Sequence, residues 1–564
     1  VDTFYGDAGL DTLNLSALTG GPIVVDLGNN VLTATGNGAD IIDGFENVVL
    51  STGNDTAYGE EGVSNTITGG AGSDTVDYSA HTGAIIVTLN GSTDAAVTVN
   101  GSAGEDVLNG VENLIGSNFA DTLTGDTQAN TLFGNDGADT LSGGSGSDYL
   151  NGGADADVLN GGAGTDTIVA GAVNDVIDGG SEIDELNYSA EVSAIVVDMS
   201  NVSAEVTGAS TGSDDITNIE RIVGTALDDT FTADTAAMDF RGGEGDDTFT
   251  GGAGADNFYG GNDNDTFIAT EDNAGDQFRG EGGTLDILDA SGLTGRVVVN
   301  LGNANADERI ENYDFSGLGM GNDAIYDMEG VIGTDGADTF TGDAQNNYFE
   351  GGIGNDTFTG GAGDDTLLGG TGDDLFFGGL GNDDYDGGVG GDDTIDFSGI
   401  AGNLDVDLDN STIDKDTDSS TDTFAEIENL ILGAGDDAFT MFDDSLSTID
   451  SNFTMIDGGA GTDSVTFTAN GGAGFDAVDL VNVFTDIEEL DFTGVTHSGD
   501  GFDLNGTDVK ALLGGDAAAG ETLTINSSVG FVNVNTDGSF TDQGGGNYTY
   551  NDGSNNFYVT IVES

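Results

Sequence analysis

Apolar side chains recur every nine residues along three stretches of the chain, 116–169, 224–268 and 333–386, the last of them within a glycine-rich block near 333–396. In the first of these stretches, each unit opens on glycine, carries Asp or Asn at its sixth position and places Leu or Ile at its eighth. The first stretch reads GSNFADTLT, GDTQANTLF, GNDGADTLS, GGSGSDYLN, GGADADVLN and GGAGTDTIV. Shorter copies lie near 6–14, 69–77 and 458–479. The glycines among the first six residues of each unit favour a tight turn. The last three residues favour a short strand whose middle side chain points to one face of the sheet.

Successive turns and strands of this kind predict a right-handed parallel β-roll, or β-solenoid, with two nonapeptides in each coil. The fold class is therefore predicted to be all-β, with side loops and a C-terminal β cap. Helix is expected to be scarce, and the best candidate is a short turn at 508–513.

A second, longer repeat lies between the glycine-rich stretches. It begins with an apolar strand pair, as in NLSALTGGPIVVDLGN (14–29) and DYSAHTGAIIVTLN (77–90), whose alternation predicts half-buried strands. A variable polar loop is expected next. A signature such as VENLIGSNFADTLTG (111–125) then leads into the following nonapeptides. These modules predict one continuous solenoid with side loops.

The sixth-position aspartates carry the candidate chemistry. Stacked coils bring these carboxylates into rows beside the carbonyls of the turns. Calcium prefers six to eight carboxylate and carbonyl oxygens at roughly 2.3–2.6 Å, whereas zinc prefers His and Cys. The chain has 2 His and 0 Cys, so calcium is the predicted ion.

These repeats resemble the RTX (repeats-in-toxin) family of calcium-binding proteins, whose pattern is GGxGxDxUx. GGAGSDTVD (69–77), GGIGNDTFT (351–359) and GGAGDDTLL (360–368) match every defined position. Multiple Ca²⁺ ions are therefore expected, bound between coils. The predicted carboxylate ligands are Asp11, Asp74, Asp106, Asp121, Asp139, Asp148, Asp157, Asp166, Asp229, Asp247, Asp256, Asp265, Asp338, Asp356, Asp365, Asp374, Asp383, Asp393, Asp463 and Asp476. The predicted carbonyl ligands are those of Gly69, Gly72, Gly143, Gly152, Gly161, Gly251, Gly351, Gly360 and Gly369. Units with Asn130 or Asn347 at position six are expected to bind more weakly or to lie beside the loop-bearing part of a module.

The charge balance decides which partners are plausible. The 564 residues include 104 Asp and Glu against 7 Lys and Arg, a formal net charge of −97. This balance excludes nucleic acid, because phosphate contacts require basic side chains. It also opposes compaction unless cations neutralise it. Each nonapeptide buries about one large side chain, which is too little to offset the ordering of nine residues, so calcium is expected to drive folding.

Two divisions of the chain are predicted, tandem modules over 1–485 and a C-terminal β domain over 486–564. The second lacks the nonapeptide, keeps strand alternation, and resembles the C-terminal module of RTX adhesins exported by type I secretion. It is expected to act as a cap, an assembly domain or a secretion signal. The sequence begins within a repeat and shows no signal peptide at its start. It has no run of 18 apolar residues, so no transmembrane helix is predicted. The resemblance to RTX proteins exported by type I secretion implies an extracellular or cell-surface location.

Catalytic groups are not indicated. His81 and His497 are isolated and are interpreted as surface residues, and the GxSxG string at 208–212 lacks the context of a nucleophile. Tyr78, Tyr188, Phe315 and Phe397 are interpreted as core residues. The chain is thus predicted not to be an enzyme.

Three functions remain open at this point. The first is a secreted, calcium-binding structural protein that assembles into a cell-surface layer (S-layer) or an extracellular filament as a homo-oligomer or polymer. A cell-surface polysaccharide is a further expected partner. The second is the stalk or C-terminal part of an RTX adhesin, and the third is the calcium-binding segment of a secreted enzyme or toxin.

Overall fold

The computed structural model describes residues 3–6, 9–18, 21–34, 39–99, 102–200, 205–271, 274–301, 323–442, 453–468, 483–494, 502–504, 512–513, 522–527, 532–534, 540–544, 547–551 and 556–563. The named elements in these ranges are all β-strands. The contacts divide the chain into two compact units, one of 1–267 with 274–283 and one of 268–273 with 284–564. The predicted helical turn at 508–513 lies outside the described residues, apart from the buried Leu512 and Leu513.

The strands up to residue 282 are β1 (Thr3–Tyr5), β2 (Thr12–Asn14), β3 (Ile23–Asp26), β4 (Val31–Ala34), β5 (Asp40–Asp43), β6 (Asn47–Val49), β7 (Thr56–Tyr58), β8 (Asn65–Thr68), β9 (Thr75–Asp77), β10 (Ile85–Thr88), β11 (Ala95–Val99), β12 (Ser102–Asn109), β13 (Asn113–Ile115), β14 (Thr122–Thr124), β15 (Thr131–Asp136), β16 (Thr140–Ser145), β17 (Tyr149–Ala154), β18 (Val158–Ala163), β19 (Thr167–Gly171), β20 (Val176–Ser181), β21 (Glu185–Asn187), β22 (Ile195–Asp198), β23 (Val206–Gly208), β24 (Gly212–Thr217), β25 (Arg221–Val223), β26 (Thr230–Thr232), β27 (Asp239–Gly243), β28 (Thr248–Thr250), β29 (Asn257–Asn262), β30 (Thr266–Ile268) and β31 (Gln277–Gly282).

The strands from residue 287 onward are β32 (Ile287–Asp289), β33 (Val298–Asn300), β34 (Ala324–Tyr326), β35 (Gly330–Ile332), β36 (Thr339–Thr341), β37 (Tyr348–Ile353), β38 (Thr357–Thr359), β39 (Thr366–Thr371), β40 (Leu375–Phe377), β41 (Asp384–Gly388), β42 (Thr394–Asp396), β43 (Leu404–Asp407), β44 (Thr412–Lys415), β45 (Ser420–Ala425), β46 (Asn429–Ile431), β47 (Ala438–Phe442), β48 (Met455–Asp457), β49 (Ser464–Thr468), β50 (Phe484–Thr485), β51 (Glu489–Gly494), β52 (Phe502–Leu504), β53 (Thr522–Ser527), β54 (Val532–Val534), β55 (Phe540–Gly544), β56 (Asn547–Asn551) and β57 (Asn556–Glu563).

Each coil of the roll holds two nonapeptides, as the sequence predicts. In the first unit, β16 pairs in parallel with β18, and Leu141 lies opposite Leu159, eighteen residues later. Alternate strands stack into two sheets, β13, β15, β17, β19 and β21 on one side and β14, β16, β18 and β20 on the other. The second unit repeats this arrangement with β36, β38, β40 and β42 facing β35, β37, β39 and β41. The fold is therefore the predicted all-β roll with long parallel sheets.

The eighth-position side chains form the core. Leu132, Leu141, Leu150 and Ile168 are fully buried, and Leu159 is 1% exposed. Phenylalanines take this place in the next block, where the rings of Phe231, Phe249 and Phe267 stack with centroids 5.0 and 5.1 Å apart. The strands are longer than predicted in many coils. β16, for example, covers positions seven to nine of one unit and continues through position three of the next.

The segments between nonapeptide blocks differ from the expected strand pair and polar loop. Four of them form a three-stranded antiparallel insert, namely β3–β4–β5, β10–β11–β12, β22–β23–β24 and β43–β44–β45. The first strand of each insert pairs in parallel with the following coil, as β10 does with β14. The last strand pairs with the preceding coil, as β12 does with β8. Each insert thus adds two strands to one sheet of the roll without breaking it.

Parallel pairing continues past residue 486. β49 pairs with β51, β51 with β53, and β53 with β57, which forms an antiparallel meander with β56 and β55. The division of the chain at 485/486 itself stays a prediction.

Candidate calcium sites

The turn of each unit is shaped by its second and fourth glycines. In the unit 143–151, Gly144 has φ of 105° and Gly146 has φ of 121°, values that a residue with a side chain rarely adopts. The backbone can therefore reverse within six residues and deliver Asp148 directly before strand β17.

The sixth-position aspartates stack into ladders that run from coil to coil. The backbone N–H of Asp139 donates to Oδ1 of Asp157 at 2.7 Å, and the N–H of Asp157 donates to Oδ1 of Asp175 at 2.7 Å. On the opposite sheet, the N–H of Asp148 donates to Oδ1 of Asp166 at 2.8 Å. Each carboxylate is thus fixed through one oxygen, and its second oxygen is left for another partner.

That second oxygen is buried and has no hydrogen-bond partner at many rungs of the described ladders. The aspartates whose Oδ2 is in this state are Asp74, Asp139, Asp148, Asp157, Asp166, Asp175, Asp184, Asp247, Asp356, Asp365, Asp374, Asp422, Asp437 and Asp463. A buried carboxylate with an unpartnered oxygen is costly in free energy, so each of these carboxylates requires a proton or a nearby cation.

Backbone carbonyls converge on the same oxygens. A Cβ built on Gly143 would collide with Oδ2 of Asp148 and would lie 2.6 Å from the carbonyl oxygen of Gly161, one coil later. At Gly351 the corresponding neighbours are Oδ2 of Asp356 and the carbonyl oxygen of Gly369 at 2.6 Å. The first glycine is therefore needed for space, because a carboxylate and a carbonyl both lie close to the position that a Cβ would occupy.

Burial perturbs these carboxyl groups strongly. Loss of solvation raises the pKa of Asp139 and Asp157 to about 7, although a backbone hydrogen bond to each carboxylate opposes the shift. The pKa of Asp175 and of Asp247 rises to about 8 for the same reason, with neighbouring carboxylates adding to it. In the metal-free protein, these carboxyl groups therefore bind protons near neutral pH.

The donor set fits calcium. Calcium accepts carboxylate and carbonyl oxygens in a flexible shell, and both types are present in each turn. In the described part of the chain, no group of three or more His, Cys, Asp or Glu side chains forms a metal cluster. An ion held here would therefore draw many of its oxygens from the glycine turns. Bound calcium would neutralise the ladder and tie neighbouring coils together.

The structure places nearly all of the predicted aspartates in these ladders. Eighteen of them are buried and accept, through Oδ1, a backbone N–H from the coil before. Asp11 is only half-buried, and its N–H donates to Oε2 of Glu46 at 2.9 Å. Asp476 lies outside the described residues. Their role as calcium ligands, with that of the glycine carbonyls, stays a prediction.

Among the described residues, at least seven further aspartates accept a ladder hydrogen bond and were not predicted from the sequence. They are Asp55, Asp175, Asp184, Asp214, Asp276, Asp422 and Asp437. Asp175 and Asp184 could have been found, because the nine-residue frame continues through 170–178 and 179–187 with Asp sixth and Ile or Leu eighth. Only the opening glycine at residue 170, replaced by Ala170, interrupts the pattern.

At six described rungs, a glutamate takes the place of the ladder aspartate. Its Oε2 accepts the N–H of an aspartate one coil earlier at 2.9–3.0 Å, at Glu46, Glu112, Glu220, Glu329, Glu428 and Glu488. The rung after each of them is never Asp; these residues are Asn65, Asn130, Met238, Asn347, Thr454 and Leu523. A neutral neighbour lowers repulsion beside the glutamate. The signal was available, since Glu112-Asn113-Leu114 has the spacing of Asp-x-Leu in the nonapeptide.

The unit with Asn130 therefore lies where one of the predicted alternatives puts it, after the insert β10–β11–β12, whereas the segment before the Asn347 unit includes residues 302–322, which lie outside the described part of the chain. Nδ2 of Asn130 donates to the carbonyl of Glu112 at 2.8 Å, so an amide replaces a carboxylate oxygen there. Weaker calcium binding at Asn130 and Asn347 stays a prediction.

Other sequence predictions have mixed outcomes. The prediction that His81 is a surface residue is wrong, since it is 6% exposed and its ring packs edge-on against Tyr78 with centroids 5.0 Å apart. Tyr78, Tyr188 and Phe397 are core residues, as predicted. His497 and Phe315 lie outside the described residues.

The comparisons with known proteins agree with this geometry. The family described as RTX calcium-binding nonapeptide repeat (4 copies) matches residues 51–80, 115–150, 142–177, 151–186, 239–273, 332–367 and 359–395. No curated protein matches the chain. No helix in the described residues is long and apolar enough to span a membrane. The chain therefore contains RTX calcium-binding nonapeptide repeats, and these repeats support a calcium-binding structural role.

Proposed function

We propose that this chain is a secreted structural protein that folds when calcium binds between its coils and then assembles with further copies into a cell-surface layer or an extracellular filament. The observation that carries the calcium-dependent part is the series of buried Oδ2 atoms without partners along the described ladders. Without cations, every such rung places a costly carboxylate in the interior.

Repulsion adds to the requirement for cations. With a formal net charge of −97, the chain resists compaction until its carboxylates are neutralised. Calcium at low cytosolic concentration would leave it unfolded and suited to export, and millimolar calcium outside the cell would fold it. Type I secretion is the proposed route.

Sheet edges are the proposed contacts for assembly. The eight-stranded sheet of the second unit has β33 and β50 as its outermost strands in the part that the structure describes. Unpaired strand edges offer backbone groups to another chain, and a roll can extend in this way without new side-chain chemistry. We also propose that the chain has no enzymatic activity.

A cell-surface polysaccharide is the proposed anchor of such a layer. One groove of about 510 Å³ on the first unit is lined by Arg241, Tyr259, Asn262 and Glu281, and the Arg241 guanidinium lies 5.0 Å from the centre of the Tyr259 ring. The guanidinium, amide and carboxylate groups of this lining can hydrogen-bond to sugar hydroxyls. Reduced retention of the Arg241→Ala variant on purified cell-wall polysaccharide would support this contact, and unchanged retention would contradict it.

Circular dichroism during a calcium titration tests folding. We expect β-structure to appear between micromolar and millimolar calcium and to disappear on addition of EDTA. A β signal that chelator leaves unchanged would overturn the proposal.

Electron microscopy separates the assembly from the alternatives. Sheets or filaments that form only with calcium support the proposal. Single rods at every protein concentration would favour an adhesin stalk or a segment of a secreted enzyme or toxin.

A further inference from the structure

In the second compact unit, a lysine side chain supplies the positive charge at one rung of an aspartate ladder. Lys415 ends β44, the middle strand of the insert β43–β44–β45, and its side chain is fully buried. A buried lysine is rare unless it is paired, so its surroundings indicate its role.

The Lys415 ammonium is held by three oxygens. Nζ lies 2.7 Å from Oδ1 of Asp422 and 3.1 Å from Oδ2 of Asp383. It also donates to the carbonyl of Gly379 at 3.0 Å. Two carboxylates and one turn carbonyl therefore surround the positive charge.

Those carboxylates belong to successive rungs of one ladder. The N–H of Asp383 donates to Oδ1 of Asp422 at 3.0 Å, as aspartates do along the rest of the roll. Gly379 and Asp383 are the second and sixth residues of the unit 378–386. The ammonium thus lies where neighbouring coils present carboxylate and carbonyl oxygens, the donor types that the other turns offer to calcium.

The corresponding position in the other inserts has no charge. Lys415 lies opposite Leu404 in its insert, and the residues in the same register are Ala34, Val99 and Gly208. Two of those inserts use a tyrosine instead. The hydroxyl of Tyr78 donates to Oδ2 of Asp106 at 3.1 Å, and that of Tyr188 donates to Oδ2 of Asp214 at 2.8 Å.

In the Lys415 insert, the residue in the place of those tyrosines is Phe397, which has no hydroxyl. Each ladder that ends at one of these three inserts therefore meets a donor from the chain itself. At two ends the donor is neutral, and at the third it is a full positive charge.

We propose that the Lys415 ammonium takes the position of a calcium ion between Asp383 and Asp422, so that this rung needs no divalent cation and removal of the amine opens a calcium site. The inference rests on the proposed binding of calcium elsewhere in the ladders. Because the ammonium is covalently attached, this rung forms independently of the calcium concentration and can order before its neighbours.

The number of bound ions tests this proposal. Native mass spectrometry, with equilibrium dialysis of calcium as a second measure, is applied to the full chain at saturating calcium. Lys415→Met is expected to bind one calcium ion more than the wild type. Arg221→Met is the matched control, because it removes one positive charge from a half-exposed residue that contacts Glu185 and Asp239 but no ladder carboxylate. The control should keep the wild-type number.

The double variant Lys415→Met/Asp422→Asn removes the amine and one carboxylate together, and it is expected to return to the wild-type ion number. An unchanged number in a folded Lys415→Met variant overturns the proposal. If that variant does not fold, crystals of the wild type grown with calcium decide the question by anomalous scattering. Calcium at other rungs but none beside Asp383 supports the proposal, and a calcium peak bonded to Oδ2 of Asp383 overturns it. Absence of calcium from every rung would instead overturn the proposed function.

Discussion

At the scale of single residues, the glycines of the nonapeptide have two separate roles. The second and fourth provide positive φ, as Gly144 and Gly146 show, while the first leaves room for a carboxylate and a carbonyl. The sequence alone suggests conformational freedom at all three. The structure shows that the first glycine is instead a requirement of space at the proposed ion site.

Gly143→Ala should therefore damage calcium binding as well as packing. The new Cβ would collide with Oδ2 of Asp148 and crowd the carbonyl of Gly161. We expect a loss of about 1–3 kcal/mol in the free energy of unfolding, as for other overpacked sites, and a higher calcium concentration at the midpoint of folding. Calcium titrations followed by circular dichroism measure both.

Gly292→Ala is the control, since a Cβ at Gly292 meets no atom within 4 Å. It should fold at the wild-type calcium concentration. Equal midpoints for the two variants would contradict the role assigned to Gly143.

The ladder could be predicted at this scale only where the frame is regular. Asp139 and Asp157 follow from the spacing alone. Glu112 was missed because its side chain is longer and because Val107 and Leu108 take the places of the first two glycines in its unit. His81 was misplaced because a turn between strands is usually exposed, whereas here the ring packs on Tyr78.

At the scale of elements, the inserts decide where a ladder stops. The parallel coils were predictable, since apolar residues at a fixed period specify stacked strands. The three-stranded inserts were not, because their second strands share no common pattern and differ between modules, from VLTA (31–34) and AAVTV (95–99) to TIDK (412–415). Their pairing depends on the edge of the preceding coil, which no local pattern encodes.

Tyr188→Phe tests whether a tyrosine hydroxyl stabilises the last carboxylate of a ladder, where the ladder meets an insert. The substitution removes the hydrogen bond to the buried Oδ2 of Asp214. We expect a loss of about 1–3 kcal/mol in the free energy of unfolding in calcium, because a buried acceptor loses its donor. Urea denaturation measures it.

Tyr5→Phe serves as the comparison for that experiment, since Tyr5 is 71% exposed. It should unfold at the wild-type urea concentration. Loss of stability in Tyr5→Phe but not in Tyr188→Phe would refute the assignment.

At the scale of the whole molecule, protons and calcium compete for the same carboxylates. The pKa of Asp175 and Asp247 rises to about 8 in the folded, metal-free chain, well above about 3.9 for an unfolded Asp. A raised pKa stabilises the folded state fully below the unfolded value, and this stabilisation is lost as pH rises through about 7–8.

The chain in EDTA should therefore gain β-structure as pH falls from about 8 to about 5. Calcium affinity should change in the opposite direction, because the ligands must lose their protons before they bind the ion. Circular dichroism and calcium titrations across this pH range measure the two effects. A metal-free chain that becomes less ordered on acidification would contradict this linkage.

Because successive strands alternate between two sheets, the number of strands between two inserts decides which sheet the later insert joins. Four strands, β6 to β9, separate the first insert from the second, and the two inserts belong to opposite sheets. Nine strands, β13 to β21, separate the second from the third, and both of these belong to the same sheet. An even number of intervening strands therefore places the next insert on the opposite sheet, and an odd number places it on the same sheet as the insert before. Gain or loss of a single nonapeptide would thus reverse the side on which every later insert projects, whereas a change by two would preserve it.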